Sequence, residues 1–317
     1  PGEHWSSPDS WLRGLLTEGS KARLTLSSQP LTSLATLVRS LYEYPYGCSE
    51  QTASRLLPLL YLSAERLSVL LDQPVTTEER TRLLQKGIEH LFSMQRPDGS
   101  FAMWNAEGEE IPWNTVLAAD FLQQARVRGL DVSEQRLSKT RERLLRYVRE
   151  GYLISNRYTD DQAHSRLATQ AYAAYVLSQQ QAVPLSALRA LHAKAGDAKT
   201  PLALVHLAIA LHKAGDGLRS QELLQRASLF QRDKHLWVHD YGSPLSDLAW
   251  QIHALRSHEL LEGTALNQQL ERLVDAIHGQ RWMSTQENAA AFMALHSAGL
   301  GSEQAWQASL DSNRQRQ

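Results

Sequence analysis

The sequence contains a single cysteine, Cys48, among 317 residues, and this excludes a disulfide within the chain. It also lacks an apolar run of the 18 or more residues that a membrane-spanning helix requires. An excess of charge is missing too, because 33 basic residues face 34 acidic ones and leave a net charge of −1. Arginines alternate with glutamates instead of forming a basic stripe. We therefore expect neither a nucleic-acid partner nor direct membrane contact from this segment.

An initiator methionine and a secretory signal are absent as well. The chain begins at Pro1 and ends in a polar tail, residues 311–317. We expect it to be a segment of a longer polypeptide. A chain of this length buries about three quarters of its unfolded surface, so it can form a large core.

The lone cysteine lies in the stretch Tyr-Pro-Tyr-Gly-Cys-Ser-Glu-Gln-Thr, residues 44–52, which we call the Cys–Gln motif. Gln51 follows Cys48 by three residues, a spacing that brings side chains on a helix to roughly 5–6 Å between Cβ atoms. That separation suits an internal thioester, a bond from the Cys48 sulfur to the Gln51 side-chain carbonyl, formed with loss of ammonia. Gly47 would permit a tight or left-handed turn into the helix.

Cys48 has two other interpretations. A free cysteine packs well as a small buried hydrophobe. A cysteine-protease nucleophile needs a histidine base, and the flanks of Cys48 match no such protease.

Three neighbours of Cys48 have predicted supporting roles. Tyr44 and Tyr46 flank the motif, and we expect their rings to screen the thioester from water. Glu50 would satisfy free N–H groups at the start of the following helix, in preference to acting as an acid catalyst.

Helical periodicity dominates from residue 30 onward, and residues 1–29 read as a linker or strap from a preceding β domain. One long apolar helix follows the motif to Leu71, with Pro58 expected to kink it or delay its start. The later helices are predicted at residues 77–95, 112–128, 133–154, 161–181, 185–195, 201–214, 218–230, 244–261, 265–278, 285–298 and 303–310. About a dozen helices with short loops predict an all-α repeat array over residues 30–310, either an open solenoid or a closed ring.

Residues 47–51 resemble the Gly-Cys-x-Glu-Gln thioester motif of the α2-macroglobulin and complement family, and the Tyr-Pro-Tyr-Gly-Cys form is similar to its bacterial branch. Residues 95–101 resemble the family's Gln-x-x-Asp-Gly-Ser-Phe loop, and residues 282–288 its Trp-x-Ser-Thr-Gln segment. The resemblance implies a closed α/α toroid of two concentric helix layers, as in terpenoid cyclases.

The resemblance also implies a function. A lysine amine of an attacking protease would open the thioester at Gln51 and become linked covalently, once per molecule, so the chain would be an inhibitor and not an enzyme. Proteolysis of a bait region in another domain would expose the thioester. A bacterial member is expected in the periplasm, held near the inner membrane by other segments, with neighbouring domains as partners and no cofactor.

His164 is a further candidate on the same basis. In complement members a downstream histidine attacks the thioester first and favours hydroxyl targets, and His164 lies at a similar distance from Cys48. Its flank does not match the complement pattern, and an ordinary histidine at a helix start is the alternative. Direct transfer to amines is therefore our expectation.

Two rival functions belong to other classes. A terpenoid-cyclase-like or glycan-processing α/α-barrel enzyme needs paired acids, but Asp160 and Asp161 lack the Asp-x-Asp-Asp pattern and read as a helix N-cap. A helical-repeat binding module needs no thioester, so it would behave the same after Cys48→Ala. His235 and His239 lack the glutamate of a His-Glu-x-x-His site, so we expect no metal.

Overall fold

The computed structural model describes residues 34–180, 183–233, 235 and 237–299. Within these ranges the chain forms thirteen α-helices and no extended strand, only two isolated antiparallel bridges. The helices are α1 (Leu34–Tyr42), α2 (Ser49–Tyr61), α3 (Ala64–Leu71), α4 (Thr77–Ser93), α5 (Pro112–Val127), α6 (Glu134–Arg149), α7 (Gln162–Ser178), α8 (Leu185–His192), α9 (Pro201–Lys213), α10 (Gly217–Ser228), α11 (Pro244–Ser257), α12 (Gly263–His278) and α13 (Thr285–Ser297).

Six of these helices form a closed inner ring. Helices α2, α5, α7, α9, α11 and α13 each pack against the next, and α13 returns to pack against α2. Such helices are enclosed on all sides, and α9 accordingly has every residue from Pro201 to Leu211 buried. The ring closes, so the solenoid alternative is excluded and the predicted α/α toroid is confirmed.

The outer layer consists of helices α1, α4, α6, α8, α10 and α12, each of which packs against the inner ring; α1, α6 and α8 each contact two successive inner helices. These helices are amphipathic. In α6, for example, Leu137, Leu144 and Val148 lie on one buried face. The short helix α3 is an addition to this alternation and packs against α1 and α2.

The predicted long helix after the motif is in fact two helices. Helix α2 continues through Pro58 and ends at Tyr61, where the Leu62 amide still donates to the Pro58 carbonyl at 3.0 Å. Ser63 then caps a new helix by accepting a hydrogen bond from the Arg66 amide at 3.2 Å. A serine in extended conformation favours an N-cap over a helix interior, which explains the break.

Several predicted segments lie outside the described residues: the strap over residues 1–29, the helix at residues 303–310 and the polar tail at residues 311–317. They stay predictions. Among the helices of the described ranges, none has the length and apolar character needed to cross a bilayer.

Candidate functional site

The Cys–Gln motif forms the start of α2 as a capping box. Cys48 is the N-cap residue, in an extended conformation with φ −65° and ψ 171°. The Gln51 amide N–H donates to Cys48 Sγ at 3.4 Å, and the Cys48 amide N–H donates to Gln51 Oε1 at 3.2 Å. This reciprocal pair usually joins Ser or Thr to Glu or Gln, and here cysteine takes the N-cap position. The backbone itself therefore holds the sulfur beside the Gln51 side chain.

The environment of this pair suits an activated acyl group. Cys48 is only 6% exposed, and burial raises the pKa of its thiol. The Cys48 N–H already points at the Gln51 carbonyl oxygen, where negative charge would develop if a nucleophile attacked the carbonyl carbon. The helix start thus supplies an oxyanion donor without any further side chain.

Both tyrosines predicted to screen the site lie at it. The Gln51 side-chain amide donates from Nε2 to the Tyr44 phenolic oxygen at 3.1 Å, and Arg55 Nη1 holds the Tyr44 backbone carbonyl at 3.2 Å. Tyr46 packs edge-on against Tyr44 at 5.8 Å between ring centroids and is 64% exposed. Tyr44 therefore makes the hydrogen bond to the Gln51 side chain, and the screening role of both rings stays a prediction.

Gly47 allows a histidine to approach the backbone closely. Its φ is not in the left-handed region, so the left-handed turn considered from the sequence is not used. His90 Nε2 instead lies 2.8 Å from the Gly47 carbonyl oxygen, and a Cβ on Gly47 would come within 3.2 Å of the same nitrogen. A Cβ at this position would therefore require the His90 ring, which binds the turn into α2, to shift by a few tenths of an ångström.

Glu50 is buried, and its partners are side chains. Ser54 donates to its carboxylate at 2.8 Å, Gln286 at 2.9 Å, and the Thr285 hydroxyl lies 3.1 and 3.0 Å from the two carboxylate oxygens. Burial raises the pKa of the Glu50 carboxyl, although these three hydrogen bonds oppose the shift. The predicted role at the helix N–H groups is therefore replaced by another, in which Glu50 ties α2 to the first turn of α13.

Residues 95–101 form a loop that packs on α6. Gly99 has φ +85°, and a Cβ there would lie 2.3 Å from the Lys139 backbone oxygen. Gln95 Nε2 donates to Thr140 Oγ1 at 2.8 Å. The Gln-x-x-Asp-Gly-Ser-Phe resemblance thus corresponds to a loop that needs glycine where it meets α6.

The segment after this loop reaches the motif directly. The Ser49 amide donates to the Met103 carbonyl at 2.9 Å, and Asn114 Nδ2 donates to Ser49 Oγ at 2.8 Å. Residues 44–52 and 282–288 therefore meet directly, through Glu50 with Thr285 and Gln286, and the chain just after residues 95–101 reaches the motif at Met103.

Tyr241 is a site residue that the sequence did not reveal. It lies between α10 and α11 with a left-handed φ of 54°, which is unusual for a residue other than glycine. Burial, with the nearby charges of Cys48 and Glu50, raises its pKa to about 12, and its hydroxyl lies near Asn114. No motif or periodicity in the sequence marks this position.

A buried ion cluster anchors the loop that carries Tyr241. Arg232 binds Asp247 on α11 through Nε at 2.8 Å and Nη2 at 2.9 Å, and it binds Asp240 through Nη1 at 3.0 Å. Two carboxylates on one guanidinium form a rigid bidentate arrangement. The loop is thereby fixed to the inner ring one residue before Tyr241.

His164 is buried at the start of α7, and its described contacts are with residues outside the motif. Its Nδ1 accepts the Lys199 amide at 3.1 Å, and Asp161 caps the helix by accepting the His164 amide at 2.8 Å, as the N-cap prediction required. Burial lowers the pKa of His164 to about 4, with Asp240 and Arg232 nearby. No contact that the structure describes for His164 reaches the Cys–Gln motif, and its acyl-transfer role stays a prediction.

The axis of the ring offers little space for a substrate. A cavity of about 20 Å³ lies between the inner helices, lined by side chains that include Trp113, Asp120, Tyr172 and His206. Tyr172 donates its hydroxyl to Asp120 at 2.9 Å, and burial raises the pKa of Asp120 to about 6. A volume near that of one water molecule does not accommodate a terpenoid or a sugar.

Comparison with known proteins places this geometry in a family. The family model described as "A-macroglobulin TED domain" matches residues 24–177. The α2-macroglobulin of Escherichia coli K12 is 38% identical over 299 residues, which are 93% of this chain and 18% of that protein. The α2-macroglobulin of Xylella fastidiosa Temecula1 is 33% identical over 287 residues, 88% of this chain and 17% of that protein. The chain thus spans less than a fifth of either relative.

Solved structures of α2-macroglobulins also resemble this chain in fold. The crystal structure of Salmonella α2-macroglobulin reacted with methylamine superposes with a TM-score of 0.82 at 41% identity, covering 85% of this chain and 18% of that one. Escherichia coli α2-macroglobulin activated by porcine elastase gives a TM-score of 0.77 at 37% identity, covering 85% of this chain and 24% of that one.

Proposed function

This chain belongs to the thioester-domain family of the bacterial α2-macroglobulins, and we propose from that premise that it captures attacking proteases through a thioester between Cys48 and Gln51. The reciprocal hydrogen bonds between these two residues, at 3.4 and 3.2 Å, are the observation that carries the proposal. They hold the sulfur and the acyl group together before any bond forms, which lowers the entropic cost of joining them.

The chemistry is a balanced pair of acyl transfers. In the first, the Cys48 thiol replaces the Gln51 amide nitrogen, so a C–S bond forms and ammonia leaves. In the second, a lysine amine attacks the same carbon, a C–N bond forms, and the C–S bond breaks. The sulfur leaves with the electron pair and gains the proton that the amine loses. The free thiol ends the sequence, so each molecule reacts once and does not turn over.

Relatives support both the amine and the protease as reactants. The Salmonella protein was reacted with methylamine, and the Escherichia coli protein was activated by trypsin and by porcine elastase. By analogy, the partners of this chain are proteases attacked through their lysine amines, together with neighbouring domains of a longer parent protein. The bait region and the trigger for exposure belong to those other domains.

The decisive experiment is an intact-mass measurement on freshly prepared parent protein. We expect a mass lower than the sequence by one ammonia and no titratable thiol. Methylamine should then add its own mass and release one thiol. The Cys48→Ala variant is the matched control and should show the full sequence mass, no released thiol and no methylamine adduct. Full mass with a titratable thiol in the untreated wild-type protein would contradict the proposal.

We also propose that the parent protein acts in the periplasm, anchored at the inner membrane. This compartment fits an inhibitor that meets proteases from outside the cell. Osmotic-shock fractionation, followed by separation of soluble and membrane material, tests it. Recovery of the parent protein with a cytosolic marker would reject this location without affecting the thioester proposal.

A further inference from the structure

The peptide unit between Gly47 and Cys48 belongs to a chain of hydrogen bonds that ends at the Gln51 side chain. At one end of this unit, the Cys48 N–H donates to Gln51 Oε1 at 3.2 Å. At its other end, the Gly47 carbonyl oxygen lies 2.8 Å from His90 Nε2. This C=O and this N–H share one resonance-stabilised peptide bond, so a donor on the oxygen also changes the strength of the N–H as a donor.

The direction of the His90 contact is fixed by its partner. A carbonyl oxygen only accepts hydrogen bonds, so Nε2 must carry the hydrogen and donate it. His90 lies in the last turn of α4 at an exposed position. Gly47 permits the close approach, because a Cβ there would lie 3.2 Å from the same nitrogen. His90 therefore supplies the motif with a donor, and its replacement removes little packing from the core.

The next peptide unit, between Cys48 and Ser49, is held by backbone groups instead. Its carbonyl oxygen accepts the Thr52 N–H at 2.8 Å, and its N–H donates to the Met103 carbonyl oxygen at 2.9 Å. The orientation of Cys48 is thus supported from both sides. Removing the His90 donor should therefore change the polarity of the Cys48 N–H more than its position.

We propose that His90 is a positioning residue that strengthens the oxyanion donor of the acyl transfer, an inference that rests on the proposed function. Attack on the Gln51 carbonyl carbon moves electrons onto Oε1, and the Cys48 N–H stabilises the charge that develops there. The His90 hydrogen bond draws electron density toward the Gly47 oxygen and makes that N–H a better donor. His90 gains and loses no proton, so the bonds formed and broken are those of the proposed transfer.

The expected size combines two effects. An oxyanion donor contributes about 10²–10³-fold to a reaction rate. One hydrogen bond strengthens the next in a chain by about 10–30%. That fraction of the logarithm of the rate gives about 2- to 8-fold for His90. Since the same N–H serves attack by an amine and attack by water, both reactions should change together.

The experiment compares His90→Leu with the wild-type parent protein, each with a starting mass that confirms the thioester. We expect methylamine-driven and spontaneous thiol release both to slow by about 2- to 8-fold. His90→Gln keeps a side-chain N–H at a similar reach and should restore the wild-type rates. The matched control is His192→Leu, in the last turn of α8, where Nε2 binds Glu222 at 3.1 Å. This control should leave both rates unchanged.

Infrared spectroscopy of the thioester carbonyl supplies a second readout. With ¹³C-labelled glutamine in the parent protein, the carbonyl band of His90→Leu should lie at higher wavenumber than that of the wild type, because a weaker hydrogen bond leaves a stiffer C=O bond. His90→Gln should return the band to the wild-type position. Loss of a purely structural contact would not be repaired in this way by an N–H donor on a different side chain.

The sign of the change in spontaneous release separates the two roles of His90. A turn that is merely loosened admits water and releases the thiol faster. Faster release in His90→Leu, rates equal to the wild type, or a His90→Gln variant as slow as His90→Leu would each overturn the inference and leave the thioester proposal in place.

The starting masses are informative as well. Absence of the thioester in His90→Leu but not in His90→Gln would support the inference, because thioester formation develops charge on the same Gln51 oxygen. Its absence in both variants would assign His90 to folding of the motif and overturn the inference. A wild-type parent protein that lacks the ammonia-deficient mass would overturn the proposed function together with this inference.

Discussion

Replacing Thr285 with valine removes the hydroxyl through which the last inner helix binds the start of α2. In the native chain this hydroxyl lies 3.1 and 3.0 Å from the two carboxylate oxygens of Glu50. Valine has nearly the same shape but no donor. Glu50 keeps its bonds from Ser54 and Gln286, so the site stays filled while one of its three donors is lost.

The expected cost follows from the charge of the acceptor. A hydrogen bond to a charged group is worth about 1.5–3 kcal/mol, so we expect Thr285→Val to lower the free energy of unfolding by about 2 kcal/mol at neutral pH. For a domain of this size, that loss lowers the melting temperature by about 3 °C.

The pH dependence provides a sharper test. The folded-state pKa of Glu50 is raised by burial, so the stability contributed by its proton is lost as pH rises through that pKa. The Thr285 hydroxyl opposes this rise, and valine should therefore raise the pKa further. The destabilisation should be largest when Glu50 is ionised and should shrink as pH falls and the carboxyl becomes protonated.

Urea denaturation of the 317-residue chain at several pH values measures both effects. The control is Thr81→Val, where an exposed hydroxyl bonds to a neutral carbonyl of its own helix at 2.8 Å. This control should lose little stability and show no pH dependence. A Thr285→Val loss that equals the control, or that is the same at every pH, would refute the role given to Glu50.

The other predictions concern two loops, a buried ion cluster and the acyl-transfer candidate. Gly99→Ala should lower the free energy of unfolding by more than about 2 kcal/mol, because its Cβ would lie 2.3 Å from a backbone oxygen of α6 at φ +85°. The control is Gly129→Ala, which has φ +82° and nothing within 4 Å, and thermal melts should show a loss of only roughly 1 kcal/mol from backbone strain. Arg232→Met should lower the free energy of unfolding by about 3–5 kcal/mol, because it leaves two buried carboxylates unpaired. The control Arg256→Met removes a surface ion pair, and urea titrations should show a loss of less than about 1 kcal/mol. His164→Ala should leave the ratio of glycerol to methylamine coupling unchanged, and a fall in glycerol coupling would show instead that His164 transfers the acyl group.

Local chemistry explains what the sequence could predict. Spacing alone indicated that Cys48 and Gln51 meet, because the two residues lie within one helical turn. Helix boundaries followed from prolines, glycines and capping residues, and α9, predicted at residues 201–214, spans Pro201–Lys213. The one division missed, between α2 and α3, depends on Ser63 acting as a cap where leucines suggested continuous helix.

Contacts across the closed ring explain what the sequence could not predict. The Glu50 carboxylate was expected to serve its own helix, yet its described partners include Thr285 and Gln286 from the other end of the chain. Tyr241 lies on a loop between α10 and α11 that Arg232 fixes to α11. Neither arrangement leaves a periodic or spaced pattern, since each joins residues that are far apart in the sequence.

The motif lies at the N-terminus of α2, with Cys48 as N-cap and Gln51 as the third helical residue. An N-cap residue and the third residue of a helix meet in every capping box, so a Cys–Gln pair needs no strained loop to become adjacent. In this structure the reciprocal hydrogen bonds between Cys48 and Gln51 cap the start of α2. Glu50, two residues after Cys48, binds Gln286 of α13, so the same turn of helix also joins the first and last inner helices.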